Sequence, residues 1–372
     1  LDNLGQEWLG CYGGEMGRTP VIDRLAREGV RAEHCYTPPV CGPSRVELLT
    51  GRYPFRTGYT LHHDAGLYHG GGLDPVRDVI FPHVLHEAGY RTGIFGKWQI
   101  NNLYDEPGIL TRHGFDEHVV WPDLLDLAWL DADKSAGFPR IEESDIETTG
   151  EFINHIESRY WDPVVIRNGR REVLPGRYGP DVFHAAAIEF LRENRDRPFL
   201  LYRPMVLTHG QTFTFPVIPT PDNRNADRPH EEIFGDMVAY ADKLIGELVA
   251  ELERLDLRRN TIVIVATDNG TESRMTARAN GREVRGGLYT LTEAGSDVGL
   301  LFNAPGLIPG GRIVPLADFT DLFPTLCDFA GASLPGDRVF DGRSLAPFLR
   351  GDDGVQPPRE WIFNQTTAAL RA

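Results

Sequence analysis

The stretch from Glu231 to Leu255 is amphipathic at helical period and leads into Thr261-Ile262-Val263-Ile264-Val265, the most strand-like run in the chain. The same order recurs elsewhere. A helix pattern over Phe81 to Ala88, with Gly89 at its end, precedes a strand pattern over Arg91 to Phe95. Another over Phe183 to Leu191 precedes Pro198-Phe199-Leu200-Leu201-Tyr202, which reads as a buried strand. Thr19 and Pro20 suit an N-cap and a first helical residue. Ile22, Leu25 and Ala26 then mark a helix ending near Gly29, followed by a short strand through Ala32 to Tyr36. Such alternation predicts an α/β fold, with a mixed, mostly parallel sheet and helices on both faces. Residues from about 103 to 178 are acidic, aromatic and loop-rich without a clear period, and read as an excursion of the kind that shapes a pocket.

Charge limits the partners. The formal net charge is -16, which argues against nucleic acid and repels any anionic substrate, so binding one requires a local basic pocket. The four cysteines, Cys11, Cys35, Cys41 and Cys327, are too scattered for a disulfide framework or a zinc site. No apolar run is long enough for a membrane span. The absence of an initiator Met, a first strand reduced to its end and an abrupt finish after Phe363-Asn364-Gln365 predict a fragment trimmed at both ends.

In an open α/β sheet, ligand groups gather where strands end. Asp2-Asn3 follow the remnant of a first strand, and Asp268-Asn269-Gly270 follow the run ending at Val265. Either pair alone is an ordinary turn. Converging, they make an oxygen-rich site suited to calcium or magnesium rather than zinc. Gly96-Lys97-Trp98-Gln99 and His209 fall just past two further strands. In Cys41-Gly42-Pro43-Ser44-Arg45, the cysteine sits two residues before a proline that suits a first helical turn, where the helix dipole favours an anion, and Arg45 stands one turn in. The loop histidines His62, His63 and His69 lack the spacing of metal ligands and read as solvated.

The run from Pro39 through Cys41-Gly42-Pro43-Ser44-Arg45 to Leu48-Leu49-Thr50-Gly51-Arg52-Tyr53-Pro54 resembles the signature of the formylglycine-dependent sulfatases. Asp2-Asn3, Thr19 to Leu25, Gly96-Lys97-Trp98, His209, Asp268-Asn269-Gly270, Asp321 to Leu326 and Asp341 to Leu345 extend the likeness over nearly the whole chain. The resemblance implies an alkaline-phosphatase-like fold. Residues 1–350 would form the catalytic domain with its first strand truncated, and 351–372 would begin a C-terminal small-sheet subdomain that is largely missing.

It also implies that a formylglycine-generating enzyme oxidises Cys41, and that the hydrated aldehyde attacks sulfur and then eliminates sulfate. Asp2, Asn3, Asp268, Asn269 and the modified Cys41 would hold Ca2+, or Mg2+. Arg45 would steady the nucleophile, Lys97 would hold the sulfate, and His209 would protonate the leaving alcohol, a role that a near-neutral pKa suits. Three positions depart from the family: Asn3 replaces an aspartate, Gln99 a histidine, and Leu288 a second lysine in the ungapped register. A register with a small insertion puts Arg285 in that last role. Losing one such contact in a dry site removes ~2 to 4 kcal/mol of transition-state stabilisation.

The expected activity is hydrolysis of a sulfate monoester, either an aryl sulfate or a sulfated carbohydrate, by a periplasmic or secreted protein. The alternatives are a phosphate or phosphonate ester hydrolase of the same superfamily and a catalytically weakened protein that binds sulfated ligands.

Overall fold

A computed structural model of the protein describes residues 1–60, 72–104, 106–122, 158–210 and 217–365. His62, His63 and His69 lie outside the described residues, as does residue span 123–157 of the aperiodic stretch. The strands are β1 (Val30–Tyr36), β2 (Arg91–Lys97), β3 (Glu117–Trp121), β4 (Val164–Arg167), β5 (Arg170–Val173), β6 (Phe199–Tyr202), β7 (Val263–Ala266), β8 (Thr276–Ala279), β9 (Arg282–Arg285), β10 (Leu300–Asn303) and β11 (Arg312–Asp318). The main helices are α1 (Pro20–Glu28), α2 (Cys41–Thr50), α3 (Phe81–Glu87), α4 (Gly179–Glu193), α5 (His230–Arg254) and α6 (Leu322–Ala330).

One sheet runs β11-β1-β10-β7 and a second β5-β4-β3-β2-β6, while β8 and β9 form a separate hairpin. Parallel pairing joins β1 to β11, and β2 to both β3 and β6. The other ladders are antiparallel, so the sheets are more evenly mixed than the helix–strand alternation alone predicts. The β4–β5 hairpin and the reversed β10 account for this.

The edge strands of the two sheets, β7 and β6, are joined through the first two residues of the chain. The Leu1 amino group donates to Ala266 O at 2.8 Å and Leu1 O accepts from Asp268 N at 3.0 Å. On the other side Asp2 N donates to Leu207 O at 2.7 Å and Asp2 O accepts from Thr208 N at 2.8 Å. Each sheet residue alternates faces, as its pleat requires. Phe95 of β2 and Val119 and Trp121 of β3 pack with α1, α4 and α5, whereas Ile94 and Val120 pack with α2, α3 and α6. Helices therefore cover both faces.

Three readings change. β2 runs to Lys97, so Gly96 and Lys97 are strand residues rather than loop residues. The aperiodic stretch contains β3 and β4, whose short apolar runs are covered on both faces and so show no alternation, and β5, a largely exposed, charged edge strand. The expected buried strand at residues 199–202 is half-buried along its whole length, because β6 lies at an edge.

Behind α2 lies a buried acidic cluster. Asp318 accepts from Thr320 N at 3.0 Å, Asp321 accepts from Asp318 N at 3.0 Å, and together they cap the turn into α6. Arg359 pairs with Asp321 through Nε at 2.9 Å. Burial pushes the Asp318 carboxyl up to about 7, with Arg359 opposing and Asp321 adding to the rise. Glu47 of α2 is raised well above its usual value, first by burial and then by Asp318. An acid whose folded-state pKa is raised contributes stability that is complete below its unfolded value near 4 and is lost as pH climbs through 7. Asp318→Asn keeps an oxygen for the Thr320 cap and removes the charge. Its melting temperature relative to the unaltered protein should therefore rise steadily between pH 5 and pH 8 in thermal melts; a difference constant over that range contradicts a titrating Asp318.

Candidate functional site

The chain enters α2 from an extended Val40, and the preceding loop is pinned where Tyr289 N donates to Pro39 O at 3.0 Å and Thr37 N to Ser296 O at 3.1 Å. This leaves Cys41 as the first helical residue, 3% exposed. Its Sγ lies 3.3 Å from Lys97 Nζ and donates to Gln99 Oε1 at 3.7 Å. β2 can carry Lys97 this far only because Gly96 lacks a side chain: at φ 141° a Cβ there would stand 2.0 Å from Pro204 O, beside which Lys97 N donates at 2.7 Å.

Lys97 Nζ also donates to both carboxylate oxygens of Asp2, at 3.1 and 3.0 Å. Arg45, one turn into α2, donates to Asp268 Oδ2 through Nε at 2.9 Å and Nη2 at 2.7 Å, and its Nη2 lies 3.4 Å from Asp2 Oδ1. Asn3 N donates to Asp268 Oδ1 at 2.9 Å, and Asn269 Nδ2 donates to Asn3 Oδ1 at 2.7 Å. Residues that are remote in sequence thus converge at one sheet edge. Asn3 and Gln99 hold left-handed backbone, φ 56° and 50°. Conformations of this kind in non-glycine residues cost on the order of 1 to 3 kcal/mol and persist where surrounding contacts fix them.

Burial alone raises the Asp2 carboxyl, but Lys97 and then Arg45 outweigh it and hold the group well below the usual carboxylate range. At Asp268 burial prevails and raises the group despite Arg45. The Arg45 guanidinium, although buried, is held more firmly cationic by Asp268 and Asp2.

His209 reaches the same site with a pKa well below the near-neutral value expected. Burial first, and then Arg159, lower its pKa to about 3. Its Nδ1 lies 2.6 Å from Gly210 O, which only accepts, so Nδ1 bears the hydrogen and Nε2 the lone pair. Arg285 is not drawn in. It is exposed on the β8–β9 hairpin and donates to Ser273 O at 2.6 Å. Leu288 is buried between the Asp268 and Cys41 loops, its N donating to Thr271 O at 3.0 Å, and its hydrocarbon side chain offers no polar contact.

Arg159 is a residue that the sequence reading did not single out. It is 3% exposed and its guanidinium lies 3.7 Å from the Trp121 ring centroid. Nothing local in Ser158-Arg159-Tyr160 signals a site, because the segment follows a long aperiodic stretch and its position depends on long-range packing.

The donor set fits a hard cation. Asp2, Asn3, Asp268 and Asn269 offer oxygens, and Asn269 Oδ1 is buried without a hydrogen-bond partner. No cluster of three His, Cys, Asp or Glu side chains suited to a metal exists among the described residues, because half of this set is amide. The Cys41 thiol is the poor member, since soft sulfur is a weak ligand for calcium or magnesium.

A family model described as Sulfatase matches residues 1–332. The steryl-sulfatase of Mus musculus is 33% identical over 429 residues, an alignment covering 100% of this chain and 67% of that protein. The N-acetylgalactosamine-6-sulfatase of Canis lupus familiaris is 30% identical, covering 100% and 68% respectively. Among solved structures, a sulfatase from Pseudoalteromonas sp. is similar with a TM-score of 0.74 at 25% identity, over 98% of this chain and 73% of that one.

Removing one member of a buried ion pair leaves its partner uncompensated, at a cost of about 3 to 5 kcal/mol. Arg45→Met should lose stability on that scale in urea unfolding with chelator present. A loss under about 1 kcal/mol would mean that Asp268 does not depend on Arg45.

Proposed function

The chain belongs to the sulfatase family, and from that premise we propose that it hydrolyses a sulfate monoester, an aryl sulfate or a sulfated carbohydrate, at the pocket headed by Cys41. The observation that carries this reading is the contact of Cys41 Sγ with Lys97 Nζ at 3.3 Å above the Asp2, Asn3, Asp268 and Asn269 oxygens. The steryl and N-acetylgalactosamine-6-sulfatases among its relatives leave both substrate classes open.

Asp2, Asn3, Asp268 and Asn269 are the residues that would hold Ca2+ or Mg2+, with Cys41 converted to formylglycine; together the ion and the modified residue supply a nucleophilic oxygen and charge stabilisation. Lys97, buried and within hydrogen-bond reach of position 41, binds and orients an anionic sulfate oxygen there. Arg45 fixes Asp268 and keeps its own charge close to the head of α2. The Gln99 amide positions the group at residue 41 and cannot transfer its proton. His209 enters as a neutral imidazole, so its Nε2 takes up a proton before it can give one to a leaving alcohol. Burial of Asp2, Asn3, Cys41, Arg45, Lys97, Asp268 and Asn269 removes competing water and strengthens the interactions among them.

After co-expression with a formylglycine-generating enzyme, peptide mass spectrometry across Cys41 should show the change from thiol to aldehyde. That protein should release sulfate from nitrophenyl sulfate faster than phosphate from nitrophenyl phosphate. Modified, cation-loaded protein that binds sulfated ligands and cleaves no sulfate ester would instead favour the weakened binding protein. A faster phosphate reaction would favour the phosphoesterase.

Calcium should raise the melting temperature, since an ion at about 100 times its dissociation constant adds about 2.7 kcal/mol. Asn269→Leu should abolish that rise; a retained shift would place the ion elsewhere. Leu288→Lys should increase kcat/KM by roughly tenfold or more by adding a cation beside the sulfate, worth ~1.4 kcal/mol or above.

A further inference from the structure

We infer that a cavity close to Gln99 binds an unsulfated sugar unit, so that the substrate is a carbohydrate carrying its sulfate on a neighbouring unit; the inference rests on the sulfate-ester reading above. The cavity has a volume of about 310 Å³ and lies between residues 72–76 and the segment that carries Asn101, Glu106 and Arg112. Sites for small molecules occupy about 300 to 1,000 Å³. Its position ties it to the reaction. Gln99 Oε1 accepts from Cys41 Sγ at 3.7 Å, and Asn101 is two residues further on. Two trans peptide steps separate their Cα atoms by at most about 7.6 Å.

The observation that points to a ligand is the Asn101 amide. Asn101 is 7% exposed, and its Oδ1 is buried without a hydrogen-bond partner. Its orientation is fixed, because Nδ2 donates to Leu73 O at 2.9 Å and that oxygen only accepts. Gly72 presses on the same amide: an added Cβ there would stand 2.3 Å from Asn101 Nδ2. His113 Nε2 lies 3.3 Å from Leu73 O and steadies that carbonyl from a second side. The amide is thus clamped with its acceptor unused, and a buried acceptor left unpaired is costly.

The other groups around the cavity define the ligand. Asp74 Oδ1 accepts from Val76 N at 2.9 Å and Arg77 N at 2.8 Å, while its Oδ2 accepts no hydrogen bond among the described residues. Arg112 Nη2 donates to Glu106 Oε2, and the pair keeps further N–H groups and a second carboxylate oxygen. Two carboxylates against one guanidinium repel a second sulfate. The guanidinium on Glu106 also opposes a metal ion there.

A hydroxyl both donates and accepts, so a polyhydroxylated ring suits this mixture. Its O–H groups can donate to Asn101 Oδ1, Asp74 and Glu106 and accept from Arg112. Pro75 and Val76 offer hydrocarbon to its C–H face. A simple aryl group brings no hydroxyl to Asn101. A site built to hydrogen-bond a hydroxyl discriminates strongly against an analogue that lacks it. Of the two substrate classes, the cavity therefore favours the sulfated carbohydrate.

The test reads sugar binding and turnover separately. Saturation-transfer NMR is run on the calcium-loaded chain with galactose, glucose and N-acetylgalactosamine. The ring protons of at least one sugar should receive saturation. Asn101→Leu should abolish the transfer, and Glu106→Ala, an exposed change that serves if the leucine variant does not fold, should also remove most of it. The exposed control Arg177→Gln should keep it. No transfer in the parent from any of the three sugars overturns the inference. So does parental transfer in a folded Asn101→Leu or Glu106→Ala, which would mean that water satisfies Asn101 Oδ1.

In the formylglycine form, Asn101→Leu should raise KM for lactose sulfated on galactose O6 about tenfold relative to KM for nitrophenyl sulfate. An equal change in both, or parental turnover of the nitrophenyl ester alone, overturns the inference and leaves the enzymatic reading intact. A parent that cleaves neither ester, yet binds sugar in a way that depends on Asn101, overturns the enzymatic reading and leaves the cavity a sugar site.

Discussion

The carboxylate of Asp2 carries more of this structure than any other single group. Its backbone completes the hydrogen bonding between the end of β7 and the segment after β6, and so joins the two sheets. Its side chain gathers Lys97 from β2 and lies near Arg45 from α2, so the strand end and the helix start are brought to one point by charge. A buried carboxylate without such partners is costly. The requirement to compensate Asp2 and Asp268 therefore fixes where Lys97 and Arg45 go, and Cys41 is placed between them as a consequence.

The same requirement explains why the site is dry yet charged. Gly96 admits the close approach of β2 to Pro204, and the strained Asn3 and Gln99 backbones are held by the contacts around them. Lys97 and Arg45 are matched by Asp2 and Asp268 inside the fold, where charges act over short range in low dielectric. The other acidic cluster, Glu47 with Asp318 and Asp321 behind α2, is opposed by the Arg359 guanidinium, which pairs with Asp321. One face of α2 thus meets balanced charge and the other a surplus of carboxyl groups.

Much of this was legible in the residues. Pro20, Gly51 and Gly89 mark helix ends where α1, α2 and α3 begin or stop, because proline at the first turn and glycine past the last one suit the backbone there. Cys41, Arg45, Lys97, Asp2, Asn3, Asp268 and Asn269 carry their own signals, as polar residues at the ends of apolar runs. The strands β3 to β5 were not legible: β3 and β4 are short runs covered on both faces and lack a period, and β5 is a charged, largely exposed edge strand without an apolar face. Arg285 shows the opposite failure: its charge suits the role, but the β8–β9 hairpin turns it to solvent.

By itself, the sequence determined the α/β class, the helix that begins at Cys41 and the oxygen-rich character of the site, because periodicity, capping and side-chain chemistry are local properties. Only the tertiary structure decided the charge state of His209, the arrival of Arg159 over Trp121 and the exclusion of Arg285. These depend on burial and on contacts between segments far apart in the chain, and desolvation, like proximity, exists only once the chain has folded.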